Sequence, residues 1–94
     1  MKLQLYDVIA APCVESQLKK IPKGIKELIL DKLEGLRSNP RPENVEPLKG
    51  SDKGLFRIRQ GDYRIVYCIQ DKKLLILIVR VVHRKEVYKK KHSR

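Results

Sequence analysis

Aromatic residues and cysteines are scarce in this sequence. Its 94 residues include no tryptophan, one phenylalanine and two cysteines, Cys13 and Cys68. The core must therefore be built mainly from Leu, Ile and Val. The cysteines lie far apart and form no CxxC or other metal-ligand spacing, so we expect no zinc site and no cofactor. We expect two small buried apolar residues and no disulfide, as is usual in a reducing compartment.

Long hydrophobic runs are also missing. The longest is "LLILIV", Leu74–Val79, whereas a membrane-spanning helix needs about 20 apolar residues. Gln4 and Asp7 interrupt the amino-terminal segment, which therefore does not read as a signal peptide. We expect a cytoplasmic protein with no membrane partner, folded as a single domain over residues 1–94.

Acidic residues are few relative to basic ones. Twenty-two Lys and Arg face eleven Asp and Glu, which gives a formal net charge of +11. This imbalance predicts a polyanionic partner such as a nucleic acid, an acidic protein or an anionic membrane. The alternative is a well-solvated surface, as in proteins of heat-adapted organisms.

The amino-terminal half predicts one strand followed by two helices. Residues Lys2–Ile9 alternate as in a strand, and Pro12 suits the first turn of a helix that ends at Pro22. The apolar stripe of this first helix comprises Val14, Leu18 and Ile21. The apolar face of the second comprises Ile25, Leu28, Ile29, Leu33 and Leu36. The short "IPKG" link predicts a helical hairpin, and the proline-rich segment Ser38–Pro47 predicts an irregular loop.

The carboxy-terminal half predicts three strands joined by short turns. They are Leu55–Gln60, Asp62–Gln70 and Leu74–Val82. The last is apolar on both faces, which indicates an interior strand. The order is β-α-α-β-β-β, followed by a short C-terminal helix or basic tail. We therefore predict an α+β fold in which the helical hairpin covers one face of a small, mostly antiparallel sheet and leaves the other face free.

Arginines lie inside two of these strands. Successive side chains point to opposite faces, so placing Ile58 and Ile65 in the core puts three arginines together on the open face. These are Arg57, Arg59 and Arg64, which Arg80 or Arg84 can join from the last strand. Such a cluster favours an anion, and guanidinium groups match phosphate oxygens well. The alternative is that each arginine pairs with a nearby acid or lies exposed at an edge.

The same segment carries a family resemblance. The stretch "LKGSDKGLFRIRQGDYRIVY", followed by "VVHRKEVYKK", resembles the RelE/ParE superfamily of toxins, and more closely its RelE branch of ribosome-dependent mRNA endonucleases. The resemblance covers Leu18 to Lys90 and implies two helices on a small antiparallel sheet. It also implies a type II toxin that cleaves mRNA in the ribosomal A site. The implied partners are the ribosome, mRNA and an acidic RelB-like antitoxin, assembled for example as a heterotetramer.

The resemblance suggests a role for each matching residue. Arg57 and Arg59 match basic residues that contact the scissile phosphate and assist proton transfer. Arg64 matches an arginine that stabilises the transition state, and Arg84 a basic residue that serves the leaving group. Tyr88 matches a tyrosine that stacks on an mRNA base.

One departure concerns the general base. Some members carry Lys at the first two positions, whereas Arg, with a pKa above about 12, is a poor base. Glu46 matches a loop glutamate that acts as the base in a related branch, and His83 matches a histidine there. We hypothesise a hybrid site with Glu46 as base, the three strand arginines as phosphate clamp, and His83 or Arg84 as acid.

Further basic residues are candidates for RNA binding. They are Lys49, Arg80, Lys85, Lys89, Lys90 and Lys91. The basic tail would follow ribosomal RNA phosphates electrostatically, or it could simply be solvated. Two other functions stay open: a ParE-like toxin that inhibits DNA gyrase, and an inactive nucleic-acid-binding module.

Overall fold

The computed structural model describes residues 5–48 and 54–85. The elements run in the order β1 (Asp7–Ala10), α1 (Pro12–Lys19), α2 (Lys23–Leu36), β2 (Glu46–Pro47), β3 (Leu55–Gln60), β4 (Tyr63–Gln70) and β5 (Leu75–His83). A single 3-10 turn, Asp71–Lys73, joins β4 to β5. The three predicted carboxy-terminal strands are confirmed to within one residue at each end. Of the predicted first strand, Lys2–Ile9, residues 2–4 lie outside the described residues, Leu5 and Tyr6 are not in a strand, and β1 continues one residue further, to Ala10. The expected C-terminal helix or tail beyond Lys85 also lies outside the described residues.

The five strands form one mixed sheet in the order β1-β5-β4-β3-β2. Neighbouring strands are antiparallel except β1 and β5, which are parallel. The α+β class is therefore confirmed, as is the interior position of β5. The expectation of a wholly irregular loop over Ser38–Pro47 is wrong at its end, where Glu46 and Pro47 pair with β3. Pro47 is tolerated there because β2 is an edge strand.

Both helices cover one face of the sheet. Val14 of α1 and Ile29, Leu33 and Leu36 of α2 are buried against the sheet residues Ile58, Ile65, Tyr67, Ile76, Ile78 and Val81. Full burial of such a side chain stabilises the fold by roughly 1.5–3 kcal/mol. The sheet face away from the helices carries the strand arginines.

Four side chains are less buried than expected. Ile25 and Leu28 of α2 are 39% and 52% exposed, although the apolar pattern placed them in the core. Successive helical residues lie about 100° apart, so burying Ile29 turns Leu28 to the flank. Cys13 is exposed and Cys68 half-buried. The Cys13 thiol donates a hydrogen bond of 3.5 Å to the Val79 carbonyl oxygen.

Candidate active site

Four arginines lie on the uncovered face of the sheet. In the register of the strands, Arg57 pairs with Val66 and Val66 with Arg80, while Arg59 pairs with Arg64. Directly opposed residues share a face and stand about 5 Å apart at Cβ. Arg57, Arg59, Arg64 and Arg80 therefore form one surface, named here the arginine face. The sequence-based placement of the first three on a common face agrees with this register.

A β-bulge brings Arg80 to this surface. The register shifts between Val66 and Tyr67, so that Val66 pairs with Arg80 and Tyr67 with Ile78, leaving Val79 unpaired. An extra residue in one strand reverses the alternation of all the side chains beyond it. Without the bulge, Arg80 would point to the same side as Ile78, into the core. The sequence carries no signal for this shift because β5 is apolar on both faces.

The Arg59–Arg64 pair concentrates positive charge. Like charges directly opposite each other on a sheet are destabilising. The Arg64 Nη1 donates hydrogen bonds to the carbonyl oxygens of Gly61 and Tyr63, at 3.3 and 3.2 Å. The Arg59 side chain is exposed and, over residues 5–48 and 54–85, makes no hydrogen bond or ion pair. A bound anion would relieve the repulsion between these two guanidinium groups.

Glu46 enters the arginine face from β2. It pairs with Arg57 across the β2–β3 ladder, and its Oε1 accepts from the Arg57 Nη2 at 2.8 Å and from Nε at 3.3 Å. The hydrogen bond from Arg57 is the main cause that holds the pKa of Glu46 below its ordinary value, with smaller effects from Arg59 and Arg64. The carboxylate is therefore ionised at neutral pH and can accept a proton.

Asn44 completes a small cleft beside this pair. The cleft, of about 230 Å³, is lined by Asn44, Glu46, Arg57 and Arg59. Sequence reasoning missed Asn44 because the segment before Pro47 was interpreted as an irregular loop, in which no side chain has a defined face. Its position depends on the turn before β2, in which the Val45 N–H donates to the Pro42 carbonyl oxygen at 3.1 Å, and no spacing in the sequence indicates it.

The loop that carries Glu46 is fastened to the sheet by another arginine. Arg41 donates to both carboxylate oxygens of Asp71, at 3.3 and 2.9 Å, and lies 5.5 Å from the centre of the Phe56 ring. The hydroxyl of buried Tyr67 donates to the Pro40 carbonyl oxygen at 2.8 Å. The Tyr6 hydroxyl donates to Asp71 at 2.6 Å. These contacts hold residues 40–41 on the sheet five residues before Glu46.

The structure does not bring His83 to the arginine face. His83 pairs with Tyr63 in the ladder, and the two rings meet edge to face at 5.1 Å on the helix-covered side. Its Nδ1 accepts a hydrogen bond from the Lys85 backbone N–H at 3.1 Å. His83 lies on the helix-covered side because of the bulge at Val79. The bulge places Arg80 and Val82 on the open side of β5, and Val81 and His83 on the helix-covered side.

Arg84 lies at the end of the sheet, beside the β3–β4 turn. Its backbone N–H donates to the Asp62 carbonyl oxygen at 2.7 Å, and its Nε lies 3.8 Å from the Asp62 carboxylate. The tight turn depends on Gly61, which has a φ of 60° that glycine adopts at no steric cost. Arg84 therefore lies just beyond β5, two residues after Val82, which is the β5 partner of Arg64.

Several candidates lie outside the described residues. They are Tyr88, Lys49, Lys89, Lys90 and Lys91. Lys85 is described and exposed. Over residues 5–48 and 54–85, no three His, Cys, Asp or Glu side chains cluster closely enough to hold a metal ion. No helix in those ranges is long and apolar enough to cross a membrane.

Comparison with known proteins identifies the family. The family described as ParE toxin of type II toxin-antitoxin system, parDE, matches residues 8–88. The toxin RelG of Mycobacterium tuberculosis is 29% identical over 85 residues, which are 90% of this chain and 98% of that toxin. The putative toxin RelE1 of Methanocaldococcus jannaschii is 30% identical over 79 residues, 81% of this chain and 87% of that protein.

Solved structures show the same fold. The archaeal RelE–RelB complex from Pyrococcus horikoshii superimposes with a TM-score of 0.77 at 29% identity, covering 86% of this chain and 97% of that one. The toxin–antitoxin complex RelBE2 of M. tuberculosis gives a TM-score of 0.77 at 31% identity, covering 88% and 95%. Both relatives were crystallised with an antitoxin.

Proposed function

The chain belongs to the RelE/ParE superfamily of type II toxins, and we propose that it is a ribosome-dependent endoribonuclease of the RelE type. The observation that supports this most is the in-register placement of four arginines beside one ionised glutamate on an uncovered sheet face. An mRNA strand carries the phosphates that such a face would bind, and the ribosome would present that strand in its A site.

The reaction proposed is transfer within one RNA strand. The 2′-oxygen of the ribose forms a bond to the adjacent phosphorus, and the bond from phosphorus to the 5′-oxygen of the next nucleotide breaks. A base takes the proton of the 2′-hydroxyl, and an acid gives a proton to the departing 5′-oxygen. The products are a 2′,3′-cyclic phosphate and a 5′-hydroxyl end. No oxidant, metal or external nucleophile is required.

The arginine face would stabilise the charge that develops on the phosphate. Two non-bridging oxygens become more negative as the fifth bond to phosphorus forms, and donors fixed in advance stabilise them without reorganisation. We assign this role to Arg59 and Arg64 because their positions are directly opposed in the ladder. Arg57 and Arg80 extend the same surface towards the neighbouring phosphates.

Glu46 is the proposed base. Its carboxylate is ionised, and the ion pair with Arg57 orients it towards the arginine face. A phosphate that competes for the Arg57 guanidinium would weaken this ion pair. The pKa of Glu46 would then rise towards its ordinary value, which makes the carboxylate a stronger base when substrate is present. Asn44 lines the same cleft and can donate a hydrogen bond to substrate.

Arg84 is the proposed residue at the leaving group. It lies at the end of the sheet nearest the Arg59–Arg64 pair and is held there by Asp62. A guanidinium stabilises the departing 5′-oxygen through charge and hydrogen bonding without losing its own proton. The proton that this oxygen takes up therefore comes from water, which acts as the acid of the reaction. His83 is not assigned this role, because its ring lies on the helix-covered side.

The proposed partner that controls this activity is an acidic, RelB-like antitoxin. The relatives from P. horikoshii and M. tuberculosis were each solved with an antitoxin chain. An acidic segment that folds on the arginine face would neutralise it and exclude mRNA. Two such toxin–antitoxin pairs would form the expected heterotetramer.

The test is a translation reaction with intact ribosomes and a defined mRNA. Primer extension should reveal new mRNA ends within the A-site codon, whereas the same RNA without ribosomes should stay intact. A parallel DNA gyrase supercoiling assay separates this function from that of a ParE-like toxin. Inhibition of gyrase by folded protein that leaves ribosome-bound mRNA intact would overturn the proposal.

A further inference from the structure

Four lysines surround the turn between α1 and α2. They occur within eight residues, in the stretch "KKIPKGIK", as Lys19, Lys20, Lys23 and Lys26. The first three are exposed and the last is half-buried. None forms an ion pair or a side-chain hydrogen bond with another residue in the described ranges. These ammonium groups, named here the lysine patch, are available to an external partner.

One of these lysines opens onto a cleft in the helix-covered side. The cleft has a volume of about 360 Å³ and is lined by Gln17, Lys20, Ile21, Tyr63, Val81 and His83. No carboxylate lines it. Its polar groups come from Gln17 of α1, from Lys20 directly after that helix, and from the ends of β4 and β5, so the fold itself brings them together.

The polar side chains of the cleft are hydrogen-bond donors. The Gln17 Oε1 is occupied by the Val81 backbone N–H at 2.8 Å, so the Gln17 NH₂ group is the end left for a ligand. The His83 Nδ1 accepts from the Lys85 N–H, so the proton of the neutral ring is on Nε2. With the Lys20 ammonium and the Tyr63 hydroxyl, the cleft offers four donor groups and suits an anion.

We infer that this cleft and the lysine patch form a second phosphate-binding surface, which binds the backbone of a folded RNA. This inference rests on the proposed function, in which the protein acts on mRNA in the ribosomal A site. The surface lies on the opposite side of the sheet from the arginine face, since Val81 and His83 point away from Arg64 and Val82. The protein would thus hold mRNA on one face and structured RNA on the other.

The composition of the surface favours RNA over a membrane. The cleft is lined by four donor groups, and the phosphate oxygens of an RNA backbone accept hydrogen bonds from such donors. A phospholipid surface would be recognised by the charge of a whole face, with similar contributions from every lysine on that face, rather than by donors arranged in a cleft. The position of the charges is therefore what the experiment must vary.

The experiment compares variants matched in charge. Gln17→Glu keeps an oxygen that accepts the hydrogen bond from the Val81 N–H, but it replaces the NH₂ donor by a negatively charged oxygen. Its control is Gln70→Glu, which adds the same charge at an exposed position at the other end of the sheet. Lys20→Gln is matched by Lys72→Gln on the β4–β5 turn. Binding of full-length protein to purified small ribosomal subunits is measured by sedimentation over a series of KCl concentrations.

We expect Gln17→Glu and Lys20→Gln each to weaken binding about fivefold or more, and the controls less than twofold. Loss of one phosphate contact should also reduce the salt slope by roughly 0.7–0.9 for Lys20→Gln. Circular dichroism and urea unfolding verify that each variant folds. Equal effects in test and control variants, or none in either, would overturn the inference.

Two further arms identify the ligand. Anionic lipid vesicles or a free nucleoside monophosphate that bind with the same dependence on Gln17 and Lys20 would overturn the assignment to folded RNA. Because binding is measured apart from cleavage, the proposed nuclease activity can fail while this surface stands. If the Lys20→Gln variant cleaves mRNA and binds the small subunit as tightly as wild type, this inference is wrong and the proposed nuclease function stands. If wild-type protein does not bind the subunit at all, both the inference and the proposed function are wrong.

Discussion

Arg59 and Arg64 occupy directly opposed positions of the β3–β4 ladder, so two like charges face each other on the open sheet. Such a pair costs about 0.2–1 kcal/mol of stability. Arg59→Gln should therefore leave the free energy of unfolding unchanged or raise it by up to about 1 kcal/mol, while cleavage falls. Urea unfolding measures the first effect and ribosome-dependent cleavage the second.

The control for this prediction is Arg57→Gln. Arg57 is ion-paired with Glu46 at 2.8 Å, so its loss should give no gain in stability. A clear loss of stability in Arg59→Gln would show that the opposed guanidinium groups are not a source of repulsion.

Glu46 should be essential as an ionised acceptor. Glu46→Gln should lower the rate of cleavage by about 10²–10⁴-fold, the usual contribution of a general base. Glu43→Gln, three residues earlier and also exposed, removes the same charge and should cleave normally. Full activity in Glu46→Gln would exclude Glu46 as the base.

The pKa of Glu46 offers a check that does not depend on activity. The hydrogen bond from Arg57 holds this pKa below the ordinary value of 4.5. Carboxyl-carbon NMR should therefore give a midpoint below that value, and Arg57→Ala should raise it. A midpoint that is the same in both proteins would mean that the ion pair does not persist in solution.

Asp71 should make stability depend on pH in the acid range. Its pKa is lowered, first by the hydrogen bonds from Arg41 and then by that from Tyr6. A lowered folded pKa means that this stabilisation is complete above the ordinary value of 3.8 and is lost as pH falls through the folded value. Asp71→Asn should be less stable than wild type at neutral pH and converge with it in acid.

Unfolding by urea at several pH values tests this prediction. Asp31→Asn, on exposed helix surface, is the control for removing one carboxylate. If the difference in free energy of unfolding between wild type and Asp71→Asn does not decrease in acid, the prediction is contradicted.

Tyr67 should make stability depend on pH in the alkaline range. Burial raises the pKa of its hydroxyl from 10.0 to about 12. Stability should be intact below about pH 10 and should decline as pH rises towards 12. Tyr67→Phe should lose about 1 kcal/mol at neutral pH, because the Pro40 carbonyl oxygen loses its donor. Because Tyr67→Phe has no hydroxyl to ionise, its free energy of unfolding should decline less than that of wild type between about pH 10 and 12. Urea unfolding at several pH values in this range measures the difference.

Local patterns predicted most of this fold. Alternation in "LFRIRQ" and "YRIVYCIQ" fixed which side chains of β3 and β4 share a face, and the structure agrees with that placement. The helical hairpin followed from apolar spacing and from Pro12 and Pro22. These features depend on residues close together in sequence, which is why they can be read from it.

Features set by distant contacts could not be predicted. The bulge at Val79 places Arg80 on the arginine face and His83 on the opposite face. It could not be predicted, because β5 is apolar on both faces and its sequence does not show which residue is the extra one. The two-residue strand at Glu46 exists because β3 offers an edge, and two prolines nearby suggest a loop. Leu28 is exposed because burial of Ile29 turns it to the flank of α2, and the apolar pattern alone does not show which of these two neighbours faces the sheet.

The most direct test of the central claim is the chemistry of the cut made on the ribosome. Ribosome-bound mRNA is incubated with wild-type protein, with Arg64→Ala and with Lys72→Ala as a control for lost charge, and the product ends are identified. The account predicts a 2′,3′-cyclic phosphate and a 5′-hydroxyl from wild type and Lys72→Ala at similar rates. Arg64→Ala should be slower by about 10²–10³-fold while it stays folded. Cleavage by folded Arg64→Ala at the wild-type rate, or intact mRNA after incubation with folded wild type, would contradict the account.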